Sequence, residues 1–148
     1  SDSGLTETEP VIITDSSYSK YFDLSKDGSI IDGSLDDGDI LYIGSLSNKI
    51  LTINRQLTLL PYDENSILSN CLIRIVEGSS GTLISNLTIK NTKDRVRNYY
   101  LCGIHIINSN NNKIINDLVI IGDFSVNSDG NELLNLKNEG SQSFLSWV

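Results

Sequence analysis

CLIRIVEGSSGTLISNLTIKN (71–91) lies over CGIHIINSNNNKIINDLVIIG (102–122) without a gap, at one constant offset from end to end. Cys71 meets Cys102, Ile73 meets Ile104, Ile75 meets Ile106, Ile84 meets Ile115, Leu87 meets Leu118 and Ile89 meets Ile120. Polar positions match as well, Ser85 with Asn116 and Asn86 with Asp117. Self-similarity at such an interval marks stacked structural units rather than one irregular fold. A weaker earlier copy, DILYIGSLSNKILTINRQLTLL (39–60), places Leu41 and Ile43 ahead of Ile73 and Ile75 by nearly the same interval. A degenerate fourth copy begins near Leu134 and Leu136.

Each copy holds three strand-sized apolar pieces separated by Gly, Ser or Asn turns. None is long enough to be stable as an isolated sheet, so each must bury its apolar face against the next copy. Strands too short for hairpins, returning in the same phase once per copy, stack in parallel about 4.8 Å apart. The expectation is an all-β chain built as a parallel β-helix, a solenoid of three to four coils.

Composition agrees. The 148 residues include no Ala and no Met, against 20 Ile, 21 Ser and 16 Asn, which starves helices and supplies strands and turns. The leader 1–10 is polar and acidic and predicts disorder. Residues 11–38 form a cap and turn region, 39–136 the coils, and 137–148 a C-terminal cap or a truncated next coil. Within the cap region, Asp15 or Ser16 is placed to start a short helix with Tyr18, Tyr21 and Phe22 on one side, forming a lid over the first coil. Phe144, Leu145, Trp147 and Val148 are the matching candidates at the other end. Ser1 in place of Met predicts a processed product or an excised piece.

The formal net charge of −8 opposes binding to a phosphate backbone, which argues against nucleic acid as a partner. The longest apolar runs are four residues, as in Leu118 to Ile121, far below the roughly 20 that cross a bilayer. Two cysteines, one histidine and no CxxC predict no metal centre and no cofactor. Asp32, Asp36, Asp37 and Asp39 crowd a glycine-rich turn and have the chemistry to hold Ca²⁺. They lack the spacing of an EF-hand, and tight-turn chemistry accounts for them without a metal.

The combination of ISNLTIKN (84–91), GIHIINSNNNKIIN (103–116), YSKYFD (18–23), DGD (37–39) and NKILTINRQLTL (48–59) resembles the right-handed parallel β-helix proteins of the pectate-lyase-like superfamily. More narrowly, it resembles the adhesin-like surface proteins of methanogenic archaea. The resemblance implies a right-handed helix of coils and an exported, cell-surface protein. It also implies a non-enzymatic role in binding a glycan, a cell-wall polymer or the surface of another cell. A polysaccharide lyase or glycoside hydrolase on the same scaffold is the competing implication.

Alternation sends Cys71, Ile73 and Ile75 inward with Cys102, Ile104 and Ile106 above them. Parallel β-carbon vectors at strand spacing are wider apart than a disulfide prefers, which favours two free buried thiols over a bridge. The opposite face then carries Tyr42, Arg74 and His105 in one vertical ladder, continued by Asn135. In the resembled enzymes such a face forms the sugar groove, and no catalytic residue is assigned here. The plain alternative is that outward positions of any solvated sheet are polar. A second candidate is the insertion after Lys90, with Lys93, Arg95, Arg97, Tyr99 and Tyr100. Arg with Tyr is a pairing of contact hot spots, suited to an anionic wall polymer or a partner protein. Asn108 to Asn112 and Gly78 to Gly81 read as equivalent corners, and Asn86 begins the one glycosylation sequon.

Overall fold

A computed structural model of the chain describes residues 10–91, 102–115, 119–121, 123–127, 129–134, 137–138 and 142–145. It is all-β, with mostly parallel strands arranged in three stacked sheets. The first sheet orders Val11–Ile13, Ile40–Ile43, Thr58–Pro61, Leu83–Ser85, Lys113–Ile115 and Glu132–Leu133. The second orders Leu46–Ser47, Leu68–Ser69, Thr88–Lys90, Val119–Ile121 and Lys137–Asn138. The third orders Ile50–Ile53, Leu72–Ile75, Cys102–Ile107, Asp123–Asn127 and Gln142–Leu145. From Ile40 onward the chain visits first, second and third sheet in turn, and each strand pairs in parallel with the strand three places further on.

The register explains the sequence repeat and corrects its period. Ile104 pairs with Ile73 and Ile120 with Ile89, as the gapless alignment requires. Ile84, however, pairs with Ile114 rather than Ile115, because the corner before Ile114 is one residue shorter than the corner before Ile84. Between other strands the interval is shorter, since Leu41 pairs with Leu59 and Leu51 with Ile73. The interval from Ile73 to Ile104 is a long case, and it includes the segment that follows Asn91. Among the described residues there are five complete three-strand sets, from Ile40 to Leu145, rather than three to four. Residues 137–138 and 142–145 continue the second and third sheets, with Phe144 and Leu145 paired to Val126 and Asn127, while Trp147 and Val148 lie outside the described residues.

The core follows from strand alternation. Leu41, Ile43, Leu59 and Ile84 from the first sheet, Leu46, Leu68 and Ile89 from the second, and Leu51, Ile53, Ile73, Ile75, Ile104 and Ile106 from the third form one buried cluster. Each fully buried side chain of this kind contributes about 1.5–3 kcal/mol of transfer free energy. No sheet could stand alone, because its strands are two to six residues long.

The expected helical cap is absent: among the described residues of the cap there is no α-helix. Instead, single 3₁₀ turns at Tyr18–Lys20 and Leu24–Lys26 flank a two-residue antiparallel pairing of Phe22–Asp23 with Ser29–Ile30. The reason is local competition by short polar side chains. Ser17 Oγ donates to Ile12 O at 2.7 Å, and Asp23 Oδ1 accepts from Ser25 N at 3.0 Å, so both divert the backbone from a helical ladder. Asp27 then turns the chain at φ 53°.

The cap nevertheless covers the first set of strands. Tyr18 and Phe22 are buried, with ring centroids 5.5 Å apart in a stacked arrangement. Tyr18 Oη donates to Ile50 O, Thr52 N donates to Gly28 O at 2.9 Å, and Ser47 N donates to Asp15 Oδ1 at 3.0 Å. These bonds satisfy backbone groups on the outermost strands of the second and third sheets, where an open edge would otherwise invite pairing with another chain.

Candidate functional site

The structure brings two residues of the expected ladder together and not Tyr42. Arg74 pairs with His105, and both side chains are half-buried on the outward side of the third sheet. The residue below Arg74 in that column is Thr52, not Tyr42. Tyr42 belongs to the first sheet, between Ile12 and Leu60. Aligning the first copy at the interval of the later two caused the misplacement, since strands of three or four apolar residues look alike whichever sheet they serve. Asn135 and the insertion residues Lys93, Arg95, Arg97, Tyr99 and Tyr100 lie outside the described residues.

The Thr52–Arg74–His105 column is tied into the cap. Arg74 Nη1 donates to Thr52 Oγ1 at 3.1 Å, and Thr52 Oγ1 donates in turn to Asp27 O at 2.6 Å. His105 titrates below its ordinary value, first because burial disfavours the imidazolium and second because the Arg74 guanidinium stands beside it. A neutral imidazole beside a fixed guanidinium can offer hydrogen bonds to a ligand.

Cys71 is a buried free thiol, and burial pushes it up to about 11, well away from thiolate reactivity. Asn91 clamps its backbone, accepting from Cys71 N and donating to Cys71 O, each at 2.9 Å. Two carboxylates of the aspartate turn brace it internally: Asp39 Oδ2 accepts from Asp36 N and Asp37 Oδ1 from Gln56 N. Among the described residues no group of three or more His, Cys, Asp or Glu is placed to hold a metal ion. Asn86 is exposed at a corner with φ 60°.

The three sheets differ in what they show to solvent. The second presents Ser47, Ser69 and Lys90 in register, and the third presents the polar column just described. The first presents mostly apolar side chains over its early strands, with Thr58 among them. Ile12, Tyr42 and Leu60 form one outward column, and Ile40, Thr58 and Leu83 the next, before Lys113 and Glu132 close it with charge. Ile40 is 46% exposed and Tyr62 55% exposed, although both are large and apolar. Tyr62 N donates to Ile43 O at 2.8 Å, which carries the pairing of the first sheet one step past Pro61. By alternation Tyr62 then shares the outward side with Leu60 and Tyr42.

Pro10, Ile12, Tyr42 and Tyr62 line a shallow recess of about 290 Å³ on this face. A larger recess, about 470 Å³, lies against the cap, and in its lining Ser25 Oγ donates to Asp23 Oδ1. Lys49 Nζ sits 3.6 Å from Asp15 Oδ1 and 5.6 Å from the centre of the Tyr18 ring.

Sequence reasoning found Tyr42 but missed Ile12, Leu60 and Tyr62, its neighbours on the apolar face. The signal was present as a shorter spacing, between DILYIG (39–44) and LTLLPY (57–62), obscured by the stronger repeat downstream. No protein-family model, no curated protein and no solved structure matches the chain.

Proposed function

We propose that the chain is a non-enzymatic, adhesin-like cell-surface module that holds a glycan or a cell-wall polymer against its outer faces. In this reading the three stacked sheets are the walls of a right-handed parallel β-helix. Two features support that architecture: the regular return of every third strand, and the strong preference of parallel crossover connections for the right hand.

The observation that carries the functional reading is the contrast among the three outer faces. Solvated strand faces are expected to be polar, as the Ser47–Ser69–Lys90 and Thr52–Arg74–His105 columns are. The first sheet instead shows an apolar, tyrosine-bearing surface on a stiff scaffold, which suits capture of a partner better than turnover of a substrate. Arg74 Nη1 is tied to Thr52, which supports a positioning part for it.

Co-sedimentation of the full chain with insoluble wall polysaccharides and with intact cells tests this reading. Saturable retention above that of an inert protein of similar charge is expected, and retention equal to that of the inert protein would contradict it. Assays for new reducing ends and unsaturated products on polygalacturonate and on neutral glycans should stay flat, and product formation would overturn the non-enzymatic part.

A further inference from the structure

Resting on the reading of the chain as a surface-binding module, we propose that the recess lined by Pro10, Ile12, Tyr42 and Tyr62 is the binding subsite, and that its ligand is a neutral glycan.

Four observations converge on this place and this chemistry. The first is the position of the two rings. Tyr42 sits opposite Leu60 on the adjacent strand, and Tyr62 lies two residues beyond Leu60 on the same outward side. Strand spacing and rise put their α-carbons roughly 8 Å apart, a span on the scale of a disaccharide. The second is their exposure: the Tyr42 ring is half-buried and the Tyr62 ring 55% exposed, so one wall is rigid and the other offers an open flat surface. Tyrosine combines a flat apolar body with a polar tip, which matches the alternating C–H and hydroxyl edges of a pyranose.

The third is charge. All four lining residues are uncharged. Asp63 and Glu64 follow Tyr62 directly, and the chain carries a net charge of −8. A polyuronate or phosphorylated polymer would meet repulsion and gain no counter-ion in the recess, whereas a neutral sugar meets neither. The fourth is support from beneath. Ile13, Leu41, Ile43 and Leu59 alternate with the outward residues of the same three strands and are fully buried, so the platform is fixed before a ligand arrives. A pre-formed surface avoids the ordering cost that weakens binding by mobile loops.

The test uses the full chain and four probes: cellohexaose, mannohexaose, N-acetylchitohexaose and hexagalacturonate. Dissociation constants are read by calorimetry or by ¹⁵N chemical-shift titration. Tyr62→Ala is the primary variant, because its exposed side chain can be removed without opening the core, and an unchanged thermal midpoint verifies the fold. Tyr42→Ala is the second variant, and Lys90→Ala, on the exposed face of the second sheet, is the control.

We expect at least one neutral hexasaccharide to bind, to weaken about tenfold or more in Tyr62→Ala, and to be unaffected by Lys90→Ala. Hexagalacturonate should bind more weakly than the neutral probe. Undiminished neutral binding in both folded tyrosine variants would overturn the subsite and leave the surface-module reading standing. Tighter binding of hexagalacturonate would overturn the ligand class. No binding of any hexasaccharide, in a chain that still sediments with wall material, would overturn the subsite alone. No binding to either would overturn both.

Discussion

His105 and Arg74 are vertical neighbours, and burial together with that contact sets a measurable titration. Burial and the guanidinium both disfavour the imidazolium, so the folded His105 titrates below the 6.5 of an unperturbed imidazole. Between those two values the unfolded chain binds more protons than the folded one. Stability therefore rises with pH through that window, and is lost as pH falls below 6.5 towards the folded value. An NMR titration of the wild type should give a His105 midpoint under 6.5, and Arg74→Ala should move it upward by removing the cation. His105→Gln should flatten the part of the stability change that appears as pH falls below 6.5, as read by urea unfolding. An unshifted midpoint in Arg74→Ala would separate the two residues. The Arg74–His105 pairing was legible in the sequence because their two strands carry the gapless repeat. Tyr42 was not placed, because a period-two pattern says which side of a strand a residue takes but not which sheet the strand joins.

Corners are the elements the sequence specified best. Asn108, Asn111, Gly78 and Gly81 all adopt positive φ, as expected of residues that tolerate the left-handed region. The two corners are equivalent in space too: Ser79 and Ser109 share a hydrogen bond at 2.8 Å, and Asn112 Oδ1 accepts from Thr82 N at 3.0 Å. Asn112 Nδ2 passes the ladder upward to Asn131 Oδ1 at 2.8 Å. Asn112→Ala should cost about 2–4 kcal/mol in chemical denaturation, because it leaves buried backbone and amide partners unsatisfied.

Two glycines separate backbone strain from steric conflict. Gly28 has φ +73°, and a β-carbon there would meet Ile50 O at 2.0 Å; Gly33 has φ +77° with open space around it. Gly33→Ala should cost about 1–2 kcal/mol from the left-handed backbone alone. Gly28→Ala should cost distinctly more, because it must also push the cap from the third sheet. Equal losses would show that the cap does not sit as described. The cap was the least legible element, since its turns depend on which of several Ser and Asp side chains wins each local hydrogen bond.

At the scale of the molecule, the stack is held by what closes its first strands. Tyr18 contributes a buried ring on Phe22 and a hydroxyl that occupies Ile50 O. Tyr18→Ala should destabilise the chain by about 3 kcal/mol or more and promote concentration-dependent association through the uncovered edge. Light scattering coupled to size exclusion measures the association, and a monomeric, equally stable variant would contradict the lid. The all-β character and the stacking of copies were legible from composition and the repeat. The number of strand sets was not, because the interval between partners varies, short from Leu41 to Leu59 and long from Ile73 to Ile104, while the strands themselves stay nearly interchangeable.

The register of the sheets is the claim from which the outer faces and the tyrosine recess both follow. Interstrand NOEs on the uniformly labelled chain measure it directly. The account predicts contacts from Tyr42 to Ile12 and Leu60, and from Arg74 to Thr52 and His105. Contacts joining Tyr42 to Arg74, or none between Arg74 and His105, would contradict it.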